Sequence, residues 1–415
     1  MKKCIAPGSR TGVITIPSSK SQAHRRIICA ALSSSSSTIK LNGLSADISA
    51  TISCLNSLGS KIEIEPNCIN VTPISKREGE KQLYCGESGS TLRFLIPIIG
   101  ALGLEATFFM EGKLPSRPIE SLTSLLEKRG MSFNKEDRSL TCRGKLSSGN
   151  YKITGSVSSQ YISGLLFALP LLDGDSYIEI EGELQSAAYI KMTEEELARS
   201  GIKFQKTASG YFVPGNQKYN CPGGVIEGDW SNAAFYLCMG AKSNNGVSVL
   251  GLKNDSAQGD KAIIDILRRF GANVIESPSA VTVKKGQLSG IIVDASGIPD
   301  LVPTICALAA SANGKTIITN ASRLRFKESD RLASTLSLLL SIGADAYETK
   351  DGLVINGKSS LNGGTVNAHN DHRIAMAAAV AASSAIYDII VEGAECVSKS
   401  YPDFWKDLDS TEVEK

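Results

Sequence analysis

Leu267-Arg268-Arg269-Phe270-Gly271 ends an amphipathic helical stretch of this 415-residue chain, and a glycine follows a comparable stretch at four other places. These glycines are Gly59, Gly130, Gly201 and Gly343, so the successive steps are 71, 71, 70 and 72 residues. A glycine just after a helix end can adopt the left-handed conformation that closes the last helical turn. The regular spacing therefore predicts one helix-containing unit that is repeated along the chain.

A second series of short polar clusters runs in phase with the glycines, and each cluster precedes a helical stretch rich in alanine and other apolar residues. Their centres, separated by 69, 70, 72, 69 and 71 residues, are Lys20, Gly89, Ser159, Ser231, Asp300 and Asp371. Between clusters the pattern predicts a helix, a strand, a second helix, a hairpin and a further strand. We predict an α/β fold of two domains with three such units each and a break near Pro222-Gly223-Gly224. The sixth unit is truncated, because the chain ends soon after Trp405.

Composition limits the class of protein. Hydrophobic residues make up 42% and charged residues 21% of the chain, as is typical of globular proteins. The net charge is +2, with no basic run among aromatic residues, which argues against a nucleic-acid partner. The longest apolar run, residues 94–104, is too short to span a bilayer. The ten cysteines form no C-x-x-C pair, and several lie in apolar helical runs, so we expect reduced thiols and a cytoplasmic protein.

The polar clusters are candidate anion sites, because a helix start presents free N–H groups and the positive end of the helix dipole. The first cluster places Lys20 in the first helical turn and Arg25 further along the same helix. The second, Gly86-Glu87-Ser88-Gly89-Ser90-Thr91-Leu92-Arg93, lets backbone approach a ligand closely at Gly89, but it lacks the lysine of a P-loop. Several such helix starts in one cleft would form a strong anion site.

Three clusters leave two interpretations open. The hydroxyls of Ser156-Val157-Ser158-Ser159-Gln160 suit a phosphate monoester or a polyol, but serine is also a common N-cap. The cluster around Ser231 has no cation, so capping is the better interpretation there. Asp300 either caps a helix or faces a ligand as a base.

The sixth cluster, Asn370-Asp371-His372-Arg373, has an H-x-x-H spacing with His369. The chain has only three histidines and no matching set of carboxylates and cysteines, so we predict no metal site. We interpret His372 and Arg373 as anion donors. Further cations lie outside the helix starts: Arg117, Lys399 and the segment Arg325-Phe326-Lys327-Glu328-Ser329-Asp330-Arg331.

Taken in order, these motifs resemble those of the 5-enolpyruvylshikimate-3-phosphate synthase family over essentially the whole chain. They are Ser19-Lys20-Ser21 with Arg25, residues 86–93, Arg117-Pro118, Ser158-Ser159-Gln160, residues 327–331, Asp371-His372-Arg373 and Ser398-Lys399. The resemblance implies two domains that close on the substrates, each an inside-out α/β barrel of three strand-helix-strand-helix-hairpin units. These would be residues 19–224, and residues 1–18 with 225–415. The two crossovers would lie near residues 13–19 and 222–228.

The resemblance also implies an activity and a set of site residues. The enolpyruvyl group of phosphoenolpyruvate would be transferred to the 5-hydroxyl of shikimate 3-phosphate, in the shikimate pathway to chorismate and the aromatic amino acids. Implied contacts to shikimate 3-phosphate are Lys20, Ser21, Arg25, Ser158, Ser159, Ser186, Tyr189, Asp300 and Lys327. Implied contacts to phosphoenolpyruvate are Lys20, Gly89, Arg117, Gln160, Arg331, Arg373 and Lys399, with Arg93 and His372 in support. No metal, organic cofactor, nucleic acid or membrane is implied, and we expect a monomer.

The implied reaction is an addition followed by an elimination, which needs a base for the hydroxyl and an acid for C3 of phosphoenolpyruvate. We assign Asp300 as the base, and Glu328 with Lys20 as proton donors and acceptors at C3. Gly89 would leave room for the inhibitor glyphosate, so we expect sensitivity.

Two departures from the family pattern are visible. Glu87 and Ser90 replace the asparagine and threonine of many relatives, and Arg323 lies near the position of an expected asparagine, so that contact is in question.

Two other functions compete with this one. UDP-N-acetylglucosamine enolpyruvyltransferases share the fold and the donor, but they have Lys-Asn in place of Lys20-Ser21. They also usually carry a cysteine in the loop before the arginine, whereas none lies between Cys85 and Cys142 here. A non-enzymatic anion-binding repeat protein would need no carboxylates among its cations, so Asp300 and Glu328 weigh against it.

Overall fold

The computed structural model describes residues 1–75 and 79–414. They form two compact units: Lys20–Ile226, here called the central unit, and Met1–Ser19 with Glu227–Lys415, here called the terminal unit. Each unit has its own continuous hydrophobic core. The division of the chain into functional domains at residues 18/19 and 224/225 stays a prediction.

The described residues contain helices of two kinds: buried ones that follow the polar clusters, and amphipathic ones near the repeat glycines. The α-helices are α1 (Lys20–Ala31), α2 (Ala46–Ser57), α3 (Gly89–Leu102), α4 (Glu120–Glu127), α5 (Ser159–Ala168), α6 (Ala187–Arg199), α7 (Trp230–Gly240), α8 (Ile263–Phe270), α9 (Val302–Ala309), α10 (Arg331–Ser341), α11 (His372–Ala382) and α12 (Phe404–Asp409). Short 3-10 helices cover Leu114–Ser116, Leu169–Leu171, Gly259–Ala262, Ser322–Phe326 and Ala394–Lys399.

The strands are short, and most alternate between buried and exposed side chains. They are β1 (Lys2–Ile5), β2 (Arg10–Thr15), β3 (Ser37–Lys40), β4 (Lys61–Glu65), β5 (Cys68–Thr72), β6 (Lys81–Gly86), β7 (Ala106–Met110), β8 (Met131–Lys135), β9 (Ser139–Gly144), β10 (Gly149–Thr154), β11 (Ser176–Glu181), β12 (Gln205–Thr207), β13 (Gly210–Val213), β14 (Gly224–Val225), β15 (Val247–Leu250), β16 (Asn273–Glu276), β17 (Ala280–Lys284), β18 (Ile292–Asp294), β19 (Lys315–Thr319), β20 (Asp345–Glu348), β21 (Leu353–Asn356), β22 (Gly364–Asn367), β23 (Ile389–Glu392) and β24 (Glu412–Val413).

One four-stranded sheet pattern recurs in five of the six repeats. In β6-β7-β9-β8, the first pair is parallel and the other two pairs are antiparallel, with β8 and β9 forming a hairpin. The central unit repeats this order in β10-β11-β13-β12 and β14-β3-β5-β4. The terminal unit repeats it in β18-β19-β21-β20 and in β2-β15-β17-β16, where β24 adds an edge strand. The predicted strand-helix-strand-helix-hairpin unit is therefore confirmed.

The chain crosses twice between the units to complete these sheets. Strand β2, near the start of the chain, pairs in parallel with β15 of the fourth repeat, with Gly12 opposite Val247. Strand β14 pairs in parallel with β3 of the first repeat, with Gly224 opposite Ile39. The truncated sixth repeat borrows β1, which runs antiparallel to β23. Each of these strands thus pairs within its own unit, although β1 and β2 are separated in sequence from their partners by the whole central unit.

Buried helices and half-exposed sheets give each unit an inside-out α/β arrangement. Every residue of α7 and of α11 is buried, whereas the strands expose one face. Helices α7, α9 and α11 pack against one another in the terminal unit, and α3 packs on α5 in the central unit. Small alanine side chains on α11 permit this close packing.

The five repeat glycines close helices as predicted. All have positive φ, from 77° at Gly201 to 104° at Gly130. After α8, the N–H of Ala272 donates to the carbonyl of Leu267 at 2.9 Å and that of Gly271 donates to Arg268 at 2.9 Å, which is a Schellman motif.

Candidate active site

The predicted polar clusters lie at the starts of the six buried helices. Four of the helix starts are capped by a side chain from the cluster, in which Ser88, Ser158, Asp229 and Asp371 accept backbone N–H groups. Each unit therefore carries three helix N-termini of the kind that favours anions. The capping interpretation of the fourth cluster is confirmed, because Asp229 accepts from the N–H of Asn232 at 2.9 Å.

Lys20 and Arg25 both lie on α1, in the central unit. The Nζ atom of Lys20 is 2.8 Å from Oδ2 of Asp47, and the two side chains are 15% and 14% exposed. Arg25 is buried, and its Nε donates to Oγ1 of Thr193 at 2.8 Å while Nη2 donates to the Tyr189 carbonyl at 2.9 Å. Burial lowers the pKa of Arg25 to about 10, so the guanidinium stays charged near neutral pH. The side chain is thus a fixed cation.

Gly89 and Arg117 are in direct contact in the same unit. A Cβ atom built on Gly89, the first residue of α3, would lie 2.8 Å from Nη1 of Arg117 and 3.2 Å from Cζ. Arg117 follows the 3-10 helix Leu114–Ser116, which brings it to this position. Only a residue without a side chain lets the guanidinium approach the start of α3 so closely.

Gln160 connects the second and third clusters. Its Nε2 donates to Oγ of Ser90 at 2.9 Å, and its Oε1 accepts from Nη1 of Arg93 at 2.8 Å. Arg93 also donates from Nη2 to the carbonyl of Pro118 at 3.1 Å, next to Arg117. The predicted residues Arg93, Arg117 and Gln160 therefore share one neighbourhood.

The hydroxyl-bearing residues lie at the starts of α5 and α6. Ser159 is the first residue of α5, and Ser158 precedes it and accepts from the N–H of Gln160 at 3.3 Å. Ser186 precedes α6 with φ of 56°, and its side chain makes no cap hydrogen bond there. A non-glycine residue with positive φ is uncommon and is enriched at functional sites. Tyr189 lies about one turn further along, in α6, and its backbone carbonyl accepts the hydrogen bond from Arg25.

Asp300 is the centre of a cation cluster in the terminal unit and does not cap a helix. Helix α9 begins at Val302 without a side-chain cap. The Asp300 carboxylate instead accepts from Nη1 of Arg331 at 2.8 Å and from Nη2 of Arg373 at 2.9 Å. Nζ of Lys327 lies 3.5 Å away. The capping alternative for Asp300 is therefore wrong.

Arg331 is buried among three carboxylates. Its Nε donates to Oδ2 of Asp371 at 2.8 Å, and Nη2 donates to Glu328. Burial alone would lower the pKa of Arg331, but Asp371, Glu328 and Asp300 together raise it well above its ordinary value. Asp371 also caps α11 and accepts from Oγ of Ser329 at 3.0 Å. The arginine is therefore permanently charged and rigidly held.

The remaining predicted cations of the terminal unit are Arg373, in the first turn of α11, and Lys399 and Lys327, at the ends of two 3-10 helices. Nη2 of Arg373 donates to Oγ of Ser231 at 3.1 Å as well as to Asp300. Lys399 donates to the carbonyl of Asn370 at 2.6 Å. Burial lowers the pKa of Lys327 to about 8 in spite of Asp300, although 25% of the side chain is exposed.

His372 is buried as the first residue of α11, with Nδ1 4.0 Å from Oδ1 of Asp371. Among the described residues, no group of three or more histidine, cysteine and acidic side chains is arranged to hold a metal ion. No helix in that part of the chain is long and apolar enough to cross a membrane.

Comparison with known proteins was decisive. The family model for EPSP synthase (3-phosphoshikimate 1-carboxyvinyltransferase) matches residues 6–408. The chain belongs to the EPSP synthase family.

Individual members of the EPSP synthase family are similar over nearly the whole chain. A 3-phosphoshikimate 1-carboxyvinyltransferase of Clostridium kluyveri is 45% identical over 410 residues, which are 98% of this chain and 96% of the relative. The protein of the same name from Clostridium novyi is 43% identical over 98% of this chain and 96% of its own length.

Solved structures agree with this assignment. The structure of EPSP synthase from Acinetobacter baumannii aligns with this chain over 100% of both chains, with a TM-score of 0.81 and 25% sequence identity. The enolpyruvyl transferase NikO from Streptomyces tendae, with a TM-score of 0.79 and 15% identity over 100% of this chain and 99% of its own, shares the fold.

Sequence reasoning missed several partners of the predicted residues. Asp47 pairs with Lys20 and Thr193 with Arg25, although each is far away in sequence. Ser231 was assigned to capping, yet it contacts Arg373. No local pattern distinguishes such residues from ordinary surface or helix positions. Arg323, which lies near the position of an expected asparagine, donates from Nη2 to the Ser296 carbonyl at 2.5 Å.

Proposed function

We propose that this chain transfers the enolpyruvyl group of phosphoenolpyruvate to the 5-hydroxyl of shikimate 3-phosphate and releases phosphate. The observation that carries the proposal is the Asp300 carboxylate, which is held by Arg331 and Arg373 and faces Lys327. The arrangement places a carboxylate, which can accept a hydroxyl proton, among cations that can bind polyanions. Family membership over residues 6–408 supports the same reaction.

The substrates explain the number of cations. Each carries a carboxylate and a phosphate, so bringing the two together requires positive charge that offsets their repulsion. We assign Lys20, Gly89, Arg117, Gln160, Arg331, Arg373 and Lys399 to phosphoenolpyruvate. We assign Lys20, Ser21, Arg25, Ser158, Ser159, Ser186, Tyr189, Asp300 and Lys327 to shikimate 3-phosphate. Arg93 and His372 support these residues.

The proposed reaction moves protons at two places, the 5-hydroxyl of shikimate 3-phosphate and C3 of phosphoenolpyruvate. C3 of phosphoenolpyruvate gains a proton while the 5-hydroxyl oxygen attacks C2 and gives up its own proton to Asp300. The resulting tetrahedral intermediate then loses a proton from C3 and breaks the C2–O bond to phosphate. We assign Glu328 and Lys20 to the two transfers at C3. Arg331 and Arg373 fix the position of the Asp300 carboxylate through ion pairs of 2.8 and 2.9 Å.

The proposed enzyme acts as a cytoplasmic monomer whose functional domains are residues 19–224, and residues 1–18 with 225–415. The free state of all ten cysteines supports a reducing compartment.

The test is phosphate release from phosphoenolpyruvate, measured with and without shikimate 3-phosphate and in the presence of a chelator. We expect release only when shikimate 3-phosphate is added, at a rate that the chelator leaves unchanged. Release that depends instead on UDP-N-acetylglucosamine would support the rival transferase. Binding of both anions without any release would support a non-enzymatic binding protein.

A further inference from the structure

Four buried side chains form a continuous hydrogen-bonded chain across three helices of the central unit. Nδ1 of His24 on α1 lies 2.7 Å from Oγ1 of Thr51 on α2, which lies 2.6 Å from Oγ1 of Thr91 on α3. Oγ1 of Thr91 donates to Oγ of Ser88 at 2.7 Å. Ser88 is 1% exposed and the other three side chains are 0% exposed, so water does not compete for these bonds.

The bonds can be assigned a direction from the Ser88 end. A threonine hydroxyl carries one proton, and that of Thr91 is donated to Ser88. Thr91 must then accept from Thr51, and Thr51, having donated its own proton, must accept from His24. The ring of His24 therefore carries its proton on Nδ1 and a lone pair on Nε2. Nε2 is buried and makes no hydrogen bond with the described residues.

The surroundings keep this histidine neutral. Burial lowers the pKa of His24 well below its ordinary value, and the charges of Lys20 and Arg25 lower it further. Protonation would put a second donor on Nε2, where no acceptor is available. Both effects favour the neutral ring, in which Nδ1 alone carries a proton.

Both ends of this hydrogen-bonded chain of side chains, His24 and Ser88, adjoin residues that the proposed function uses. His24 lies one helical turn after Lys20 and directly before Arg25 on α1. At the other end Ser88 caps α3 through the N–H of Thr91 and directly precedes Gly89, which contacts Arg117. The four hydrogen-bonded side chains therefore set the position of the start of α3 relative to α1.

We propose that His24 is a positioning residue, whose Nδ1–H holds the start of α3 in place through Thr51, Thr91 and Ser88. It does not touch the substrates. This inference rests on the proposed function, because we expect the loss of these hydrogen bonds to weaken phosphoenolpyruvate binding at Gly89 and Arg117.

The main test is Thr51→Val, which keeps the side-chain shape but removes both hydrogen bonds. The variant leaves His24 and Thr91 without their buried Thr51 partner and so loosens the start of α3, and we expect the KM for phosphoenolpyruvate to rise about tenfold. We expect kcat and the KM for shikimate 3-phosphate to change by less than about threefold, because Arg25 is held separately by Thr193 and by the Tyr189 carbonyl. The matched control is Thr107→Val in the same unit. It removes the hydrogen bond between the hydroxyls of Thr107 and Thr141, which are 2.9 Å apart, and it should leave all three constants unchanged.

Variants of His24 separate a donor from mere bulk. An asparagine amide can donate from nearly the same place as Nδ1, so His24→Asn should keep the KM for phosphoenolpyruvate within about threefold of wild type. His24→Leu should raise it as Thr51→Val does. The double variant of His24→Leu with Thr51→Val should be no worse than either single variant, since both break the same chain.

A spectroscopic measurement tests the assignment without using activity. The chain has three histidines, so the ring nitrogens can be resolved by 15N NMR of selectively labelled protein. We expect His24 to be neutral with its proton on Nδ1 from about pH 5 to 8, and its resonances to shift in Thr51→Val.

The outcomes are distinct. A proton on Nε2, or a wild-type KM for phosphoenolpyruvate in Thr51→Val, would overturn the inference while leaving the proposed function intact. If wild-type protein releases no phosphate, the proposed function fails, and the NMR result still decides the direction of the chain. Should His24→Leu not fold, Thr51→Val and the wild-type spectrum decide the matter.

Discussion

Gly89 lies against the guanidinium of Arg117, and an added Cβ atom would come within 2.8 Å of Nη1 and 3.4 Å of Nη2. A guanidinium at the end of a flexible side chain can move away from such a contact, whereas the start of α3 cannot. Any side chain at position 89 therefore displaces a predicted phosphoenolpyruvate ligand rather than merely filling space.

We predict that Gly89→Ala raises the KM for phosphoenolpyruvate about tenfold or more, because a hydrogen bond to a charged group is worth about 1.5 to 3 kcal/mol. Glyphosate inhibition should weaken in the same variant if the inhibitor occupies the space beside Gly89. Steady-state kinetics at several glyphosate concentrations measures both. The control is Gly297→Ala, where no atom lies within 4 Å of the new Cβ. Equal KM values for Gly89→Ala and wild type would contradict the contact's role.

Asp300→Asn tests the proposed base. The amide keeps the shape of the side chain but cannot accept a proton at neutral pH, so kcat should fall by about 100-fold to 10,000-fold. Arg331 and Arg373 also lose a charge partner, so we expect a lower free energy of unfolding as well.

Turnover and stability are measured separately for this variant, by phosphate release and by urea unfolding. Glu328→Gln is the comparison variant, because it also removes one carboxylate partner of Arg331. Glu328, however, is assigned to proton transfer at C3 of phosphoenolpyruvate and not at the hydroxyl. Wild-type kcat in Asp300→Asn would remove Asp300 from the mechanism.

The repeat architecture was predictable because its signal is local. A glycine after a helix satisfies a backbone requirement that no distant residue can replace, and Gly271 shows it with φ of 98°. Which strands complete which sheet carries no such signal. The pairing of β1 with β23, residue Lys2 opposite Glu392, joins the two ends of the chain, and neither segment has a pattern that specifies its partner.

The candidate site was predictable to the extent that its residues begin helices in phase with the repeat. Helix starts at Lys20 and Gly89 could be located from spacing and composition, and the family resemblance supplied their implied roles. The charge partners could not be located in this way. Asp371 is both a helix cap, which its sequence indicates, and a ligand of Arg331, which depends on tertiary packing.

The ion pair of Asp371 with Arg331 should be the most costly one to break in the terminal unit. The two side chains are 0% and 1% exposed, and removing one partner of a buried pair costs about 3 to 5 kcal/mol. Because Arg331 keeps Asp300 and Glu328 as partners, we predict that Asp371→Asn lowers the free energy of unfolding by up to about that amount, as measured by urea denaturation.

Asp330→Asn is a matched control. Asp330 also caps a helix, α10, but its ion pair with Arg325 is partly exposed and should be worth less than about 1 kcal/mol. Asparagine is a good N-cap, so both variants keep the cap and differ mainly in the buried charge. Similar losses in the two variants would show that the buried ion pair contributes no more to stability than the partly exposed one.

Lys327 makes a prediction about pH. Burial lowers the pKa of its ammonium to about 8, against the opposing effect of Asp300, so near pH 8 about half of the free protein carries an uncharged Lys327. A phosphate bound beside Nζ stabilises the charged form and raises this pKa. Binding of shikimate 3-phosphate at pH 8 should therefore take up about half a proton per protein molecule, and affinity should fall as the pH rises above about 8. Below that pH the lysine is already charged, and its contribution to affinity is fully present.

Calorimetry of shikimate 3-phosphate binding at pH 8, in buffers with different ionisation enthalpies, measures the proton uptake directly. Lys327→Arg should bind without this uptake, because arginine stays charged throughout the range. Lys327→Met should lose both the uptake and much of the affinity. The same apparent enthalpy in every buffer for the wild-type protein would mean that Lys327 does not change its protonation on binding, and its assignment to the phosphate would then be wrong.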